Sequence, residues 1–458
     1  MSAPRKLLLL CSPGFGLIDA WLPVIKKLRE REDVIIDFIF PEPSSLRLEE
    51  KNSDLFNLAE TFVDNIIFRG YSGRWFTASS LIEARNGIKY GSLDKKILRF
   101  SSRLKKGALS KYLVMRVIGE YLLIVAKYIA HVKENLGKQD LYDIGLLRGA
   151  NGLLYDVLLE EKSENNELMD KLKYIAKFSI AHGTDLRWIS IDIPNNRKEV
   201  KDRSDVVVYA ISNFEKKWYK EYFGILYGNM VHAGIPKHDN DWIKFVCSQH
   251  YSAEKYAFDS FVFIIGRPAS PYNTPNRKKK ALEDIYDIVC NKNKLKLVVK
   301  THPKESLDNI DGKIYMDALG AENYGKKWIY SDRHPFILGK KSFFSISFYS
   351  SLSIDMLALD KPTIEYLDLN GLESYDNNDS LRDNSNGPVF QYRYKKLVLG
   401  ASNNKEFEEH VNLILNNYKE ALLPLSSSYL KIFEPFDGAS EMVANDIINR
   451  LNKNKGIG

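Results

Sequence analysis

Short apolar runs that stop at glycine, proline or small polar residues recur along this chain. Amphipathic stretches separate them, and the alternation restricts the chain to a parallel α/β architecture. Lys6–Cys11 is such a run, ended by Ser12-Pro13-Gly14-Phe15-Gly16. Ile18–Arg29 follows, with Trp21, Leu22, Val24, Ile25 and Leu28 at helical spacing, and Val34–Phe40 is the next strand, stopped by Pro41-Glu42-Pro43. Strand, glycine-rich turn, helix and strand make a βαβ unit. Further strands are expected at Leu141–Leu147, Phe178–Ala181 and Val206–Ile211, and residues 75–137 read as largely helical.

The pattern restarts at Phe261. Strands are expected at Phe261–Ile265, Leu295–Lys300, Phe343–Phe348 and Thr363–Leu367, with helices at Lys278–Cys290, Leu352–Leu359 and Ala439–Leu451. The chain has 458 residues, too many for one ordinary core. We expect an N-terminal Rossmann-like domain over 1–240, carrying a basic helical insertion, a C-terminal Rossmann-like domain over 241–436, and a closing helix over 437–458. Ser374–Gly387, rich in Asn, Asp and Ser, reads as a loop.

Cys11, Cys247 and Cys290 are isolated from one another and fit a reducing, cytoplasmic setting. The apolar start is too short for a secretion signal, and no window approaches a membrane span. The net charge of +7 is uneven. Lys95, Lys96, Arg99, Arg103, Lys105, Lys106, Lys111 and Arg116 lie in one stretch without an acid, interleaved with leucines. This is either a solvated helix face or a surface that docks on anionic membrane lipid, where the protein would sit peripherally on the inner leaflet. No nucleic-acid motif accompanies it.

Ligands of open parallel sheets bind beyond the carboxyl ends of strands, and the chemically capable residues fall there. Gly14 and Gly16 follow the first strand, either to let a substrate approach the backbone or simply to turn. His182, Gly183, Thr184 and Asp185 follow the strand ending at Ala181. His182 could take a proton near neutral pH or, protonated, hold a phosphate. Lys300-Thr301-His302-Pro303 offers two cationic donors to phosphate, with Pro303 fixing the turn. Ser350-Ser351 precedes a helix and supplies two hydroxyls and free N–H groups, as an anion site or as a cap. Arg267 could offset leaving-group charge. Asp355, one turn beyond Ser351, and Glu365 are carboxylates that could grip a ribose, although Glu365 could also belong to an edge strand. In the first half the turn Arg148-Gly149-Ala150-Asn151-Gly152 leads to Asp156, another acid candidate. No Asp-X-Asp metal motif stands at an expected strand end.

Together these runs resemble the GT-B glycosyltransferases of bacterial surface polysaccharides. The resemblance is to the group that includes CDP-glycerol glycerophosphotransferases and capsule sialyl- and Kdo-transferases. It is carried by His182-Gly183-Thr184, by Lys300-Thr301-His302-Pro303, by Ser350-Ser351 with Asp355, Lys361-Pro362 and Glu365-Tyr366, and by Asp437-Gly438-Ala439-Ser440 before the last helix. It implies two Rossmann-like domains facing a cleft, with the last helix crossing back to the first domain. It implies donor binding by His302 and the serines, and acceptor chemistry by His182 or by an acid such as Asp156 or Asp185. It implies no metal or other cofactor. The expected activity is transfer of a sugar from a CMP-linked ulosonic acid to a glycan or lipid-linked acceptor. Phosphotransfer from a CDP-linked polyol is the alternative, and a nucleotide-sugar 2-epimerase or an inactive assembly partner are the remaining ones.

Overall fold

A computed structural model describes residues 4–12, 16–31, 33–42, 53–69, 75–77, 147–162, 165–181, 183, 203–249, 258–302, 305, 310–372, 389–434 and 437–454, with isolated positions between 97 and 122. The basic residues from Lys95 to Arg116 lie outside this set, as do Leu141–Leu146 and Ser374–Gly387. The chain falls into two compact units that do not follow its sequence linearly. One comprises Met1–Pro13, Asp33–Leu48 and Glu60–Ile175, the other Gly14–Glu32, Glu49–Ala59 and Ala176–Gly458.

In the first unit β1 (Arg5–Leu10), β2 (Val34–Phe40), β3 (Asn65–Arg69), β4 (Trp75–Thr77) and β5 (Ala150–Tyr155) lie in the order β4-β3-β2-β1-β5. All pairs are parallel except β3 with β4. Leu7 to Leu10 are fully buried, as a parallel strand covered on both faces requires. Two expectations are corrected here. Trp75–Thr77 is a strand, not the start of a helical stretch. Arg148–Gly152 is a turn only in part: Leu147–Gly149 turn, Gly149 takes φ 71°, and Ala150–Gly152 already belong to β5. The Leu153-Leu154-Tyr155 run is the buried part of this strand, so Asp156 stands directly at its carboxyl end.

The second unit holds α1 (Gly16–Arg31), the first part of α2 (Ser53–Phe62), and the parallel strands β6 (Ala176–Ile180), β7 (Val206–Ala210) and β8 (Met230–His232), with α3 (Asn213–Phe223) after β7. A single 3-10 turn, Pro236–His238, leads into α4 (Asn240–Ser248). The second sheet follows. Its elements are β9 (Phe261–Ile265), α5 (Pro275–Ile285), β10 (Leu297–Lys300), α6 (Ile310–Leu319), β11 (Trp328–Tyr330), α7 (Pro335–Lys341), β12 (Ser342–Ser347), α8 (Leu352–Leu357), β13 (Thr363–Tyr366) and β14 (Leu399–Ala401). The order β11-β10-β9-β12-β13-β14 is parallel throughout. Parallel strands joined by helices, in both halves of the chain, are the Rossmann-like pattern the sequence implies. Glu365 is not on an edge strand, because β13 lies between β12 and β14. The helix expected to reach Cys290 ends at Ile285 and continues as a π-type turn to Lys292.

Two helices after β14, α9 (Asn404–Asn416) and α10 (Tyr418–Phe433), precede the last, α11 (Ala439–Asn454). The last helix returns to pack on α1. Arg31 of α1 pairs with Glu441 and Asn445 of α11. The start of α11 is capped from afar: the Asp239 carboxylate accepts the N–H groups of Gly438, Ala439 and Ser440 at 3.1, 3.0 and 2.8 Å. Three donors that the helix itself leaves unsatisfied are met by one side chain.

Candidate functional site

β10, β9 and β12 are neighbours, and their last residues are in register: Lys300 and Ser347 both align with Ile265. The segments leaving these strands therefore emerge side by side. They carry Thr301-His302, Gly266-Arg267 and Tyr349-Ser350-Ser351. Sheet order thus brings Arg267, Lys300, His302, Ser350 and Ser351 to one edge from three separate parts of the sequence. Ser350 uses its hydroxyl on the Leu352 N–H at 3.4 Å, and Ser351, the residue before α8, makes no capping bond with its side chain.

Tyr349 sets the approach to the serines. Its φ of 68° is left-handed, an unusual state for a bulky side chain. Three contacts hold it there. Arg267 donates to its carbonyl at 2.6 Å, Gln391 donates to its hydroxyl at 2.8 Å, and its ring stacks on Phe390 at 4.4 Å. The Arg267 guanidinium also lies over the rings of Tyr272 and Tyr349. Arg267 is thus partly committed to the turn that presents the serines.

Lys300 is half-buried at the end of β10 and donates to the Asp332 carbonyl at 2.8 Å. Burial pushes its ammonium down to about 8, against the pull of Asp332, Asp54 and Asp19. The ammonium of Lys300 is therefore charged below pH 8 and loses its charge above it in the free protein. Affinity for a phosphate-bearing ligand should fall about tenfold between pH 7 and pH 9. Titration calorimetry at both values checks this, and a flat profile would exclude Lys300 as the partner of the phosphate.

Sequence reasoning missed a buried polar network in the second unit. Lys237 Nζ lies 2.7 Å from Asp355 and 3.7 Å from Asp19. His238 Nε2 meets Asp355 at 2.8 Å, and its Nδ1 meets the Tyr429 hydroxyl at 2.8 Å. His334 Nε2 meets Asp19 at 3.0 Å, the His334 N–H donates to Asp54 at 2.9 Å, and Arg333 pairs with Asp54 at 3.0 Å. Burial raises Asp355, but Lys237 and His238 outweigh it and hold the carboxyl below its usual range. Burial lowers Lys237, but Asp355 and Asp19 hold it above the usual lysine value. Burial keeps His238 below its ordinary value against the pull of Asp355. Hence His238 is neutral at pH 7, and its Nε2–H donates to Asp355 while Nδ1 accepts from Tyr429.

Lys237 also lines a small pocket with Ala20, Ile180, Ala181, Gly183 and Ile211. Gly183 belongs to the His182-Gly183-Thr184 run, so that turn leaves β6 beside the network. His182, Thr184, Asp185 and Gly14 themselves lie outside the described residues, as does Pro303. Gly16 opens α1. Asp355 is fully buried and turned to Lys237 and His238. Glu365 is fully buried and bonds Arg393 at 2.8 Å, whose guanidinium also donates to the carbonyls of Glu365, Leu367 and Ala401. In the first unit Asp156 is fully buried and accepts the Leu158 N–H at 3.0 Å, capping the single turn Val157–Glu161. Among the described residues no group of His, Cys, Asp and Glu is arranged to hold a metal ion, and no helix is long and apolar enough to cross a membrane.

No family model and no curated protein matches this chain. Solved structures do. A putative UDP-N-acetylglucosamine 2-epimerase from Listeria monocytogenes is similar over 99% of this chain and 98% of its own, with 10% identity and a TM-score of 0.53. The UDP-GlcNAc 2-epimerase of Methanocaldococcus jannaschii, in complex with UDP-GlcNAc and UDP, is similar over 97% of this chain and 100% of its own, with 12% identity and a TM-score of 0.52. The wall teichoic acid polymerase TagF is similar over 98% of this chain and 90% of its own, with 12% identity and a TM-score of 0.51. At such identities the likeness is one of fold, and the fold of this chain is GT-B.

Proposed function

We propose that this chain is a glycosyltransferase that moves a sugar from a nucleotide-activated donor to a glycan or lipid-linked acceptor. The observation that carries the reading is the meeting of Arg267, Lys300, His302, Ser350 and Ser351 at the carboxyl edge of one parallel sheet. Two to three cationic groups and two hydroxyls suit a phosphate or diphosphate, and they offset the charge that develops on a leaving nucleotide. In this reading Lys300, His302 and the serines hold the donor phosphate, while Arg267 supports the serines and faces the same edge. His182 takes the acceptor proton, with Asp156 and Asp185 as the other acids, while Asp355 and Glu365, the carboxylates expected to grip a ribose, bond Lys237 with His238 and Arg393 respectively. No metal is invoked. The sequence resemblance favours a cytidine donor, a CMP-linked ulosonic acid ahead of a CDP-linked polyol. A lipid-linked acceptor would give the basic run Lys95–Arg116 an anionic membrane face to dock on.

A second reading, nucleotide-sugar 2-epimerisation, is favoured by the buried carboxylates Asp19, Asp54 and Asp355, and by the names of two of the structures above. Thermal stabilisation by CMP, CDP, UDP and GDP separates the donors. A ligand at about 100 times its dissociation constant should add roughly 2.7 kcal/mol. Cytidine nucleotides are expected to stabilise the protein. UDP alone doing so would remove the cytidine assignment. Incubation with UDP-GlcNAc and no acceptor, followed by NMR, would expose an epimerase by loss of the starting isomer. If no nucleotide binds, the transferase reading is lost.

A further inference from the structure

The His302 turn is held by a carboxylate that faces the interior of the sheet edge. The Glu305 N–H donates to the His302 carbonyl at 2.8 Å, and the Glu305 carboxylate reaches back to accept the His302 N–H at 2.6 Å. The side-chain bond is the half of a capping box in which the residue three places on reaches back to the first N–H, here beside a backbone bond between the same two residues. The carboxylate has further donors. Its other oxygen takes Lys278 Nζ from α5 and the Tyr315 hydroxyl from α6, the latter at 3.1 Å. The Lys278 side chain is fully buried, and its ammonium lies 4.4 Å from the centre of the Tyr315 ring, with Asp311 at 3.4 Å. A lysine is not left in such a place without a charged partner.

Gly266, at the end of the neighbouring strand β9, belongs to the same arrangement. A Cβ there would stand 2.5 Å from Glu305 Oε2, 2.8 Å from the Lys300 carbonyl and 2.9 Å from the Tyr315 hydroxyl. The oxygen that such a Cβ would strike is the one that holds His302. Absence of a side chain at 266 is what lets the carboxylate sit between the ends of β9 and β10.

We infer that Glu305, anchored by Lys278 and Tyr315 and given room by Gly266, is a positioning residue that fixes the His302 turn. This rests on the donor-site reading of His302 for its functional meaning, though the geometry of the turn does not. Two measurements on the full chain test it. The first needs no ligand. Hydrogen exchange of the His302 amide should quicken at least about tenfold in Glu305→Gln and in Gly266→Ala, with the β9 and β12 amides unchanged. Asp311→Asn, which also removes a carboxylate near Lys278 but none from the turn, should leave the His302 amide as in wild type. Unchanged protection in Glu305→Gln overturns the inference.

The second measurement is CDP and UDP affinity by calorimetry. Glu305→Gln and His302→Ala should each weaken binding about tenfold, and the double variant should bind no more weakly than His302→Ala alone. Wild-type affinity in Glu305→Gln, or fully additive losses, would overturn the role in binding. Wild-type protein that binds neither nucleotide would instead sink the donor-site reading, and the exchange result would still decide whether Glu305 fixes the turn.

Discussion

Lys300→Ala is expected to lower kcat/KM for the sugar donor by about 10² to 10³, the usual loss when one preorganised charge partner of a leaving group is removed. The urea midpoint should not fall, because Lys300 is half-buried and its charge is disfavoured by its surroundings. Lys300→Arg separates charge from shape. Arginine stays protonated through pH 9, so this variant should keep part of the activity and lose the decline expected of wild type above pH 8. Nucleotide release measured at pH 7 and pH 9 decides the matter. Wild-type turnover in Lys300→Ala would place the donor elsewhere.

Asp355→Ala should be the most damaging change to the fold. It leaves Lys237 buried with only Asp19, 3.7 Å away, and removes the acceptor of His238. Breaking one partner of a buried pair costs about 3–5 kcal/mol. Replacing both sides, Asp355→Leu with Lys237→Met, should recover much of this, because no charge is then stranded. Urea unfolding followed by tryptophan fluorescence reads both effects, and a loss below about 1 kcal/mol in Asp355→Ala would contradict the network. The pH sign also follows. Asp355 and Asp19 are held below the ordinary carboxyl value and His238 below the ordinary histidine value. The unfolded chain therefore binds more protons in acid. Stability should be complete above the unfolded histidine value of about 6.5, and fall first through it and then further below about 4. In Asp355→Ala the fall below 4 should be shallower.

The strands were legible because parallel strands bury both faces, so Val34–Phe40 and Phe261–Ile265 stand out as unbroken apolar runs. The edge residues Arg267, Lys300, His302, Ser350 and Ser351 were legible for the same reason, since each follows such a run. Strand order was not in the sequence, and it is what makes β10, β9 and β12 neighbours. The buried network escaped, although Asp355 itself stood out, because its members are single polar residues on α1, α2, α8, α10 and two turns, far apart in the chain. One signal was available: Asp19 stands among Ile18, Ala20, Trp21 and Leu22 on a helix whose inner face is apolar. The strand Ala150–Tyr155 shows the opposite limit, because its first residues read as a turn. Gly149 and Gly152 punctuate the approach to Leu153-Leu154-Tyr155, and that punctuation hides the strand that pairs with β1.

The packing of α11 on α1 has a consequence for biosynthesis. The second unit needs two helices, Gly16–Arg31 and Ala439–Asn454, that lie far apart along the chain. While the ribosome works through the intervening residues, the face of α1 that α11 will cover is without its partner. The second unit can close only once α11 has been synthesised, long after α1 has left the ribosome. In the interval an apolar helical face is open to chaperones. Arg31, at the end of α1, then finds Glu441 and Asn445 as the last step fastens.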